Sequence, residues 1–502
     1  MLESRSHPAR RAGITRRTDV STPTPPPAAP AVSRTTWLAL AVLLGGMFMS
    51  LLDTTIVNVA LPTIRTSLDA SEATLSWIIS GYALAFGLVL IPAGRIGDRF
   101  GHKWVFFTGL ALFTAASVAC GLAQNDTQLI IARVVQGLGG GIFFPPVTAF
   151  IQLLFPPQLR GKAFAIMGAV IGVSSALGPL VGGLIIQALG EENGWRWIFA
   201  VNLPIGILVL IAAVVLLPAG SEGKRTSTDL VGLLLLATGL VAILVPLIQG
   251  QDEGWPLWTY LSIAGGVLLI VMFALWERRV ASTGQEPLVP PHLFSHPSFT
   301  GGTILALVYF ASFTSIFFTI SLLWQAGLGR TALETGFVSV PFAIGNIIGA
   351  SQSDRLAQRL GRTVLVIGVG MLTVGLVVLF LLFLLIPTAD LTNWLLLGPL
   401  LVAGLGSGLF IAPNARFIVA TVDRSEAGAA SGVIGTMQRV GAAAGIAIVG
   451  SVFFGNIGTI AGPADLPAAF GQAATPAMAV SAGLAFVAFL LVFALPKRVE
   501  LH

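Results

Sequence analysis

Residues 94–103 read GRIGDRFGHK and residues 353–362 read SDRLAQRLGR, so an Asp-Arg pair followed by Gly and a base occurs twice in this chain. A second internal match joins residues 169–172 (AVIG) to residues 432–435 (GVIG), and a further glycine stands six residues beyond each. The two matches have similar offsets along the chain. Such repeats are typical of proteins built from duplicated helical bundles.

The composition indicates that most of the chain is surrounded by lipid. The chain has 502 residues, of which 55% are hydrophobic and only 10% charged, and such a composition cannot coat a soluble surface of that size. A membrane span needs roughly 20 apolar residues. Fourteen windows meet this requirement, and they are 36–60, 73–94, 103–123, 128–152, 163–189, 195–217, 230–250, 258–277, 298–325, 334–352, 363–386, 393–415, 427–455 and 474–495.

The repeats predict how these spans are grouped. They relate span two to span ten and span five to span thirteen, so spans one to six and nine to fourteen form two pseudo-symmetric six-helix bundles. Spans seven and eight are then an insertion, giving an all-α, 6+2+6 polytopic membrane protein. The expected units are a disordered cytoplasmic N-tail (1–35), an N-terminal bundle (36–217), the insertion (218–297), a C-terminal bundle (298–496) and a cytoplasmic C-tail (497–502). Chance similarity between Gly- and Ala-rich helices is the alternative.

The positions of the basic residues predict the orientation. All but five of the 27 Lys and Arg residues fall in the tails or in interhelix segments on the same side as the N-terminus. Three lie on the other side (Arg65, Arg196 and Arg330), and Arg133 and Arg439 lie within spans. The positive-inside rule therefore puts both termini in the cytoplasm. The basic excess follows topology, so we expect no nucleic-acid partner.

The two Asp-Arg segments are candidate gates. Their carboxylates and bases lie beside helix ends, where contacts can lock one arrangement of two bundles and release in another. The alternative is that their bases only satisfy the positive-inside rule. The candidate gating residues are Gly94, Asp98, Arg99, Gly101, Lys103, Asp354, Arg355, Gly361 and Arg362.

Two charges inside predicted spans are candidates for proton coupling. Asp53 lies mid-span in the first helix and Arg133 lies in the fourth, and an intramembrane charge normally faces a cavity or a partner. Burial favours the protonated carboxyl, whereas a nearby guanidinium favours the carboxylate, so the pair could act as a proton switch. The alternatives are that Asp53 only pins helix packing and that Arg133 snorkels to the surface.

Several of these segments resemble the major facilitator superfamily, and specifically its 14-span drug/proton antiporters of the EmrB/QacA type. Residues 94–103 resemble the family's loop between helices two and three, although His102 stands where the family usually has Arg. Residues 51–62, 131–141 and 195–206 resemble the motifs of helices one, four and six. The helix-five stretch Gly178, Pro179, Gly182 and Gly183 matches a pattern that in this family marks exporters. The resemblance implies that Arg133 is linked to proton transfer.

Substrate contacts are less clearly indicated. A cavity for a lipophilic solute is expected, and core or lipid-facing packing is the alternative for its aromatic members. Arg439 could meet an anionic substrate group or serve as a structural charge. The candidates are Asn58, Gln136, Phe143, Phe313, Phe317, Gln325, Asn346 and Arg439.

The expected function is a proton-coupled antiporter that exports lipophilic drug-like or antibiotic-like molecules across the cytoplasmic membrane by alternating access. A metabolite uniporter or importer is the alternative. We expect a monomer surrounded by lipid with no enzymatic activity, cofactor or metal, since no phosphate-binding Gly-x4-Gly-Lys-Ser/Thr loop occurs and His292 and His296 lack further ligands nearby. Whether a periplasmic adaptor takes part is left open.

Overall fold

The structure, a computed structural model, describes residues 33–496 except Ser71, 191–192, 220–228, 251–252, Glu286, 424–425 and 458–461. Fourteen helices of this described part are long and apolar enough to cross a membrane. They are α1 (Arg34–Leu68), α2 (Glu72–Phe100), α3 (His102–Leu122), α4 (Asp126–Leu154), α5 (Pro157–Leu189), α6 (Gly194–Ala200 and Asn202–Leu216), α7 (Leu230–Gln249), α8 (Leu257–Ser282), α9 (Pro297–Leu322), α10 (Ala332–Leu360), α11 (Thr363–Leu385), α12 (Asn393–Val419), α13 (Ala427–Gly455) and α14 (Leu466–Val492).

The predicted all-α fold with fourteen spans is confirmed. The predicted tails lie outside the described residues except at 33–35, and Ser33 caps α1 by accepting a hydrogen bond from the Thr36 backbone N–H at 3.2 Å. Because the number of spans is even, α1 begins and α14 ends on one side of the membrane, which we call the terminal face. The bounds predicted for the tails and domains remain predictions.

Several helices are longer than hydropathy predicts. α2 continues past residue 94 to Phe100, and α10 continues past residue 352 to Leu360, so the two Asp-Arg segments are mainly helix rather than loop. Each helix breaks at one glycine with positive φ, Gly101 (91°) or Gly361 (55°), where residues with a Cβ are disfavoured. Hydropathy marks only the part of a helix that lies in lipid, whereas intrahelical hydrogen bonds continue beyond it.

The two bundles have the same internal plan. In the first, α4 packs between α2 and α3 while α1 packs on α5; in the second, α12 packs between α10 and α11 while α9 packs on α13. The duplication that the sequence predicted is therefore present in the packing.

The bundles meet mainly through α2 with α13 and α5 with α10. At the first contact a Cβ on Gly94 would overlap the carbonyl oxygen of Gly428, so the two backbones touch only because both residues are glycine. At the second contact Gly172 leaves room for the side chain of Asn346.

The inserted helices α7 and α8 pack on each other, and α7 also lies against α2 and α13. Asp229 caps α7 by accepting a hydrogen bond from the Gly232 N–H at 2.8 Å, as expected for a helix N-terminal residue. The same carboxylate accepts a hydrogen bond from Trp276 Nε1 of α8 at 2.9 Å. After α8 the chain returns to α2, where Arg95 donates to the Pro287 carbonyl at 2.7 Å.

Candidate proton-coupling site and inter-bundle gates

Asp53 is fully buried in the N-terminal bundle and its carboxylate is held by three side chains. Its Oδ2 accepts a hydrogen bond from Arg133 Nη1 at 2.6 Å. Its Oδ1 accepts one from Gln136 Nε2 at 3.0 Å and one from Asn202 Nδ2 at 2.7 Å. The two residues predicted to form a proton switch are thus in direct contact.

Arg133 is also fully buried, and both its Nε and its Nη1 donate hydrogen bonds. Its Nε donates to the Ile78 carbonyl at 3.2 Å, and its Nη1 also donates to Gln136 Oε1 at 2.7 Å. Its guanidinium lies 4.2 Å from the centre of the Tyr82 ring. Removing either member of such a pair would leave an uncompensated charge in a region that excludes water, which is far costlier than losing an exposed pair.

Two polar side chains of α3 contact the residues that bind Asp53. Asn202 donates to Ser117 Oγ at 2.9 Å, and Ser117 in turn donates to the Phe199 carbonyl at 2.9 Å. Cys120 Sγ lies 3.5 Å from Gln136 Oε1. Buried apolar residues, among them Ile56 and Trp195, pack around this network. The described contacts of the network all lie within one bundle.

The hydrogen bonds around Asp53 suit an ionised carboxylate. An ionised Asp53 only accepts hydrogen bonds, and all three of its partners donate. A proton on either oxygen would place an O–H donor among groups that themselves donate, which weakens the contacts made there. Protonation would therefore loosen the join between α1, α4 and α6.

Sequence reasoning missed Asn202 and Tyr82 as members of this site, and it assigned Gln136 to the substrate cavity. The structure instead places Gln136, fully buried, between the two charges. A weak signal was available for Asn202, because it is an amide within a span of mean hydropathy 2.7. Nothing in the sequence pattern singles out Tyr82 from other aromatic residues.

Asp98 joins the bundles on the terminal face. Its two oxygens accept hydrogen bonds from the backbone N–H groups of Gly428 (2.9 Å) and Ala429 (3.1 Å), in the first turn of α13. These N–H groups have no partner within their own helix, and a helix N-terminus favours negative charge. His102 Nε2, at the position where the family usually has Arg, lies 3.3 Å from Asp98 Oδ1.

The segment after α8 reaches the same end of α13. His292 Nε2 lies 3.1 Å from Glu426 Oε2, in the residue preceding that helix. Burial raises the pKa of the Glu426 carboxyl above its ordinary value, while the neighbouring His292 acts in the opposite direction.

Asp354, the counterpart of Asp98, makes different contacts. Its Oδ1 accepts a hydrogen bond from Arg416 Nη1 of the same bundle at 3.1 Å, and its carboxylate lies against Gly161 of the other bundle. Gly161 is the fifth residue of α5, beyond the four whose N–H groups are free at a helix start. The two candidate gates are therefore related by sequence but not equivalent in chemistry.

The bases that follow Gly101 and Gly361 make equivalent contacts in the two bundles. Lys103 Nζ donates to the Val214 carbonyl near the end of α6 at 2.8 Å, and Arg362 Nη1 donates to the Phe493 carbonyl just past the end of α14 at 2.9 Å. Each base thus satisfies carbonyls at the C-terminus of the sixth helix of its bundle. Arg99 lies 4.8 Å from the Phe100 ring centre, and Arg355 is exposed.

The helix-five motif packs in two directions. Gly178 and Gly182 face α1, where a Cβ on Gly178 would overlap Thr55 Oγ1, two residues from Asp53. Gly183 approaches Leu333 of α10, and Pro179 lies near Gly336 of the same helix. α5 therefore contacts both the helix that carries the buried carboxylate and the opposing bundle.

The remaining cavity candidates separate into two groups. Phe143 is fully buried against Phe106 and Phe113, and Asn346 is fully buried with its side-chain amide 3.1 Å from Ser407 Oγ, so both serve packing in this arrangement. Phe313 is buried and Phe317 half-buried in an aromatic cluster with Phe342. Residues with accessible surface are Asn58 (exposed), Gln325 (half-buried) and Arg439 (half-buried).

Replacing Asp98 by Asn should weaken the closed contact between α2 and α13, because a neutral amide has one acceptor oxygen where the carboxylate has two. In a Cys120→Ser background, Ile91→Cys places a thiol at a buried position facing Gly432. We expect Asp98→Asn to raise the rate of maleimide labelling at this thiol by about tenfold. The matched control Asp354→Asn removes a contact elsewhere and should change the rate much less; equal rates in both variants would contradict the assigned contact.

The family model described as Major Facilitator Superfamily matches residues 43–446 and 307–501. The chain therefore belongs to this superfamily and is a multi-pass membrane transporter of its drug-efflux type.

Among curated relatives, a probable actinorhodin transporter of Streptomyces coelicolor is 37% identical over 84% of this chain and 73% of its own length. A tetracenomycin C resistance and export protein of Streptomyces glaucescens is 32% identical over 84% of this chain and 77% of its own length. Among solved structures, the proton:xylose symporter XylE has a TM-score of 0.63 at 14% identity, covering 91% of this chain and 95% of its own. The human organic anion transporter MFSD10 has the same TM-score at 16% identity, covering 91% and 99%. At these identities the solved structures establish the fold alone.

Proposed function

We propose that this chain is a proton-coupled antiporter that exports lipophilic, antibiotic-like small molecules across the cytoplasmic membrane, with both termini in the cytoplasm. The observation that carries the proposal is the fully buried Asp53–Arg133 pair, with an N···O distance of 2.6 Å. A buried carboxylate that only accepts hydrogen bonds is suited to take up a proton at the expense of its partners. The names of the relatives, which include export and resistance proteins, support the direction of transport.

Alternating access requires contacts that break in each cycle. The hydrogen bonds between Asp98 of α2 and the start of α13 are such a contact at the terminal face. The glycines where α2 meets α13 allow the two helices to come close enough to form it. Protonation of Asp53 would change the packing of α1, and α5 would transmit that change because its glycines contact α1 on one side and α10 on the other. The cycle thus exchanges proton entry for substrate exit.

Susceptibility profiling against a broad panel of lipophilic compounds identifies substrates directly. A strain that lacks the chain should be more sensitive to a subset of the panel, and overexpression should reverse this. In proteoliposomes, an imposed pH gradient should then drive a compound from this subset uphill, and a protonophore should abolish the uphill phase.

The rival function, a uniporter or importer of a metabolite with the same fold, makes a different prediction. It requires counterflow of solute that is independent of the pH gradient and no movement of protons. That outcome in the same proteoliposomes would refute proton antiport while leaving the fold assignment intact.

A further inference from the structure

One face of α13 carries glycines near the terminal face and an arginine deeper in the membrane. Gly428, Gly432, Gly435 and Arg439 follow one another at intervals of four, three and four residues, which places them on the same side of the helix. This face meets α2: a Cβ on Gly428 would overlap Gly94, and one on Gly435 would touch only the side chain of Leu90. The helices therefore separate with distance from the terminal face. Arg439 lies where the glycines end.

Arg439 is deep in the membrane. It is twelve residues into α13, which corresponds to about 18 Å of helix, and a hydrocarbon core is about 30 Å thick. Its guanidinium lies 3.9 Å above the ring of Phe86, near the middle of α2 and in the opposing bundle. The side chain is half-buried and spans the seam between the bundles.

No carboxylate neutralises this charge within the described part of the chain. Arg439 forms no ion pair and donates no hydrogen bond there, and its polar contact is the face of Phe86. Arg133, the other arginine within a span, has Asp53 as its partner. The acids closest to the seam are already used: Asp98 binds the start of α13, and Asp354 binds Arg416. A charge kept at this depth is costly and normally has a partner or faces a cavity.

We propose that Arg439 binds an anionic group of the transported molecule, so that the substrates are lipophilic aromatic acids bearing a carboxylate or a comparable oxyanion. The inference rests on the proposed export function and specifies its substrate class. A guanidinium presents its N–H donors in a geometry that suits a carboxylate. The ring of Phe86 lies beneath the guanidinium and is buried against the rings of Tyr82 and Phe144, so aromatic groups stand directly beside the charge.

The test compares two probes that differ in charge and little in shape. We would measure the proton-driven initial transport rates of 9-anthracenecarboxylate and the neutral 9-anthracenecarboxamide in proteoliposomes, with ethidium as a cationic probe. The variants are Arg439→Gln, Arg439→Lys and the control Arg330→Gln, which neutralises an arginine that is exposed on the other face. We expect wild type to prefer the acid over the amide by about tenfold or more. Arg439→Gln should remove this preference, read as the acid-to-amide ratio and not as an absolute rate, whereas Arg439→Lys should retain part of it and Arg330→Gln should keep the wild-type ratio.

The outcomes separate the inference from the proposed function. Wild type transporting the amide or ethidium as well as the acid, or Arg439→Gln keeping the preference for the acid, overturns the role of Arg439 and leaves export in place. No proton-driven transport of any probe or of any compound from the susceptibility panel overturns the proposed function itself. If Arg439→Gln fails to fold, the acid-to-amide ratio of wild type and of Arg439→Lys still decides the matter.

Discussion

Replacing Asp53 by Asn is expected to abolish uphill transport, lowering the proton-driven rate by at least about 100-fold, while exchange of substrate across the membrane continues. Asn has nearly the same shape but cannot take up a proton at neutral pH. Energy coupling should therefore be lost while alternating access remains. The measurement is substrate accumulation against its gradient in proteoliposomes, together with counterflow at zero pH gradient.

The matched control for this change is Asp229→Asn. It alters another carboxylate in the same way, but at the cap of α7 in the insertion, and it should leave the proton-driven rate within about twofold of wild type. Uphill transport in Asp53→Asn at the wild-type rate would show that Asp53 does not carry the proton.

Arg133→Met should be the most destabilising change at the site. It leaves the Asp53 carboxylate buried without its cation, a situation that typically costs about 3–5 kcal/mol. We expect a clearly lower apparent Tm in detergent than for wild type. The double variant Asp53→Asn, Arg133→Met removes both charges and should recover part of the loss, since no unpaired ion remains.

The order of the apparent Tm values tests whether the two charges depend on each other. The double variant should be more stable than Arg133→Met, since only the single variant leaves a buried unpaired ion. If Arg133→Met alone is as stable as wild type, the two charges do not depend on each other as their 2.6 Å contact indicates.

The architecture and the charged pair could be predicted from the sequence because both rest on strong physical signals. Apolar windows of about 20 residues mark spans, and a charge within such a window must find a partner or a cavity. Asp53 and Arg133 therefore stood out, and they are in contact. The repeat of the Asp-Arg segments gave the 6+2+6 arrangement for the same reason, since it depends on local pattern alone.

What the sequence could not give depends on how helices approach one another. Gln136 and Phe143 are the residue types expected in a cavity, yet both face the interior of their bundle, and helix rotation decides this. The identical Asp-Arg pattern suggested equivalent gates, but Asp98 meets the start of α13 whereas Asp354 meets α5 one turn further along. Such axial offsets between helices leave no mark in either segment.

The bases that follow Gly101 and Gly361 make equivalent contacts in the two bundles, whereas Asp98 and Asp354 do not. Lys103 and Arg362 belong to the predicted gating segments, and each binds carbonyls near the end of the sixth helix of its bundle. Their equivalence supports duplication more directly than the Asp-Arg pairs do. Their partners, some 110 and 130 positions away in sequence, could be assigned only from the packing of the bundles.

The central claim is that Asp53 exchanges its proton for substrate, and substrate-induced proton release tests it most directly. Purified protein in weakly buffered detergent at neutral pH would be mixed with a compound identified by susceptibility profiling, and a pH-sensitive dye would report the release. The account predicts release from wild type and from Asp229→Asn, and none from Asp53→Asn that still binds the compound. Undiminished release from Asp53→Asn would contradict it.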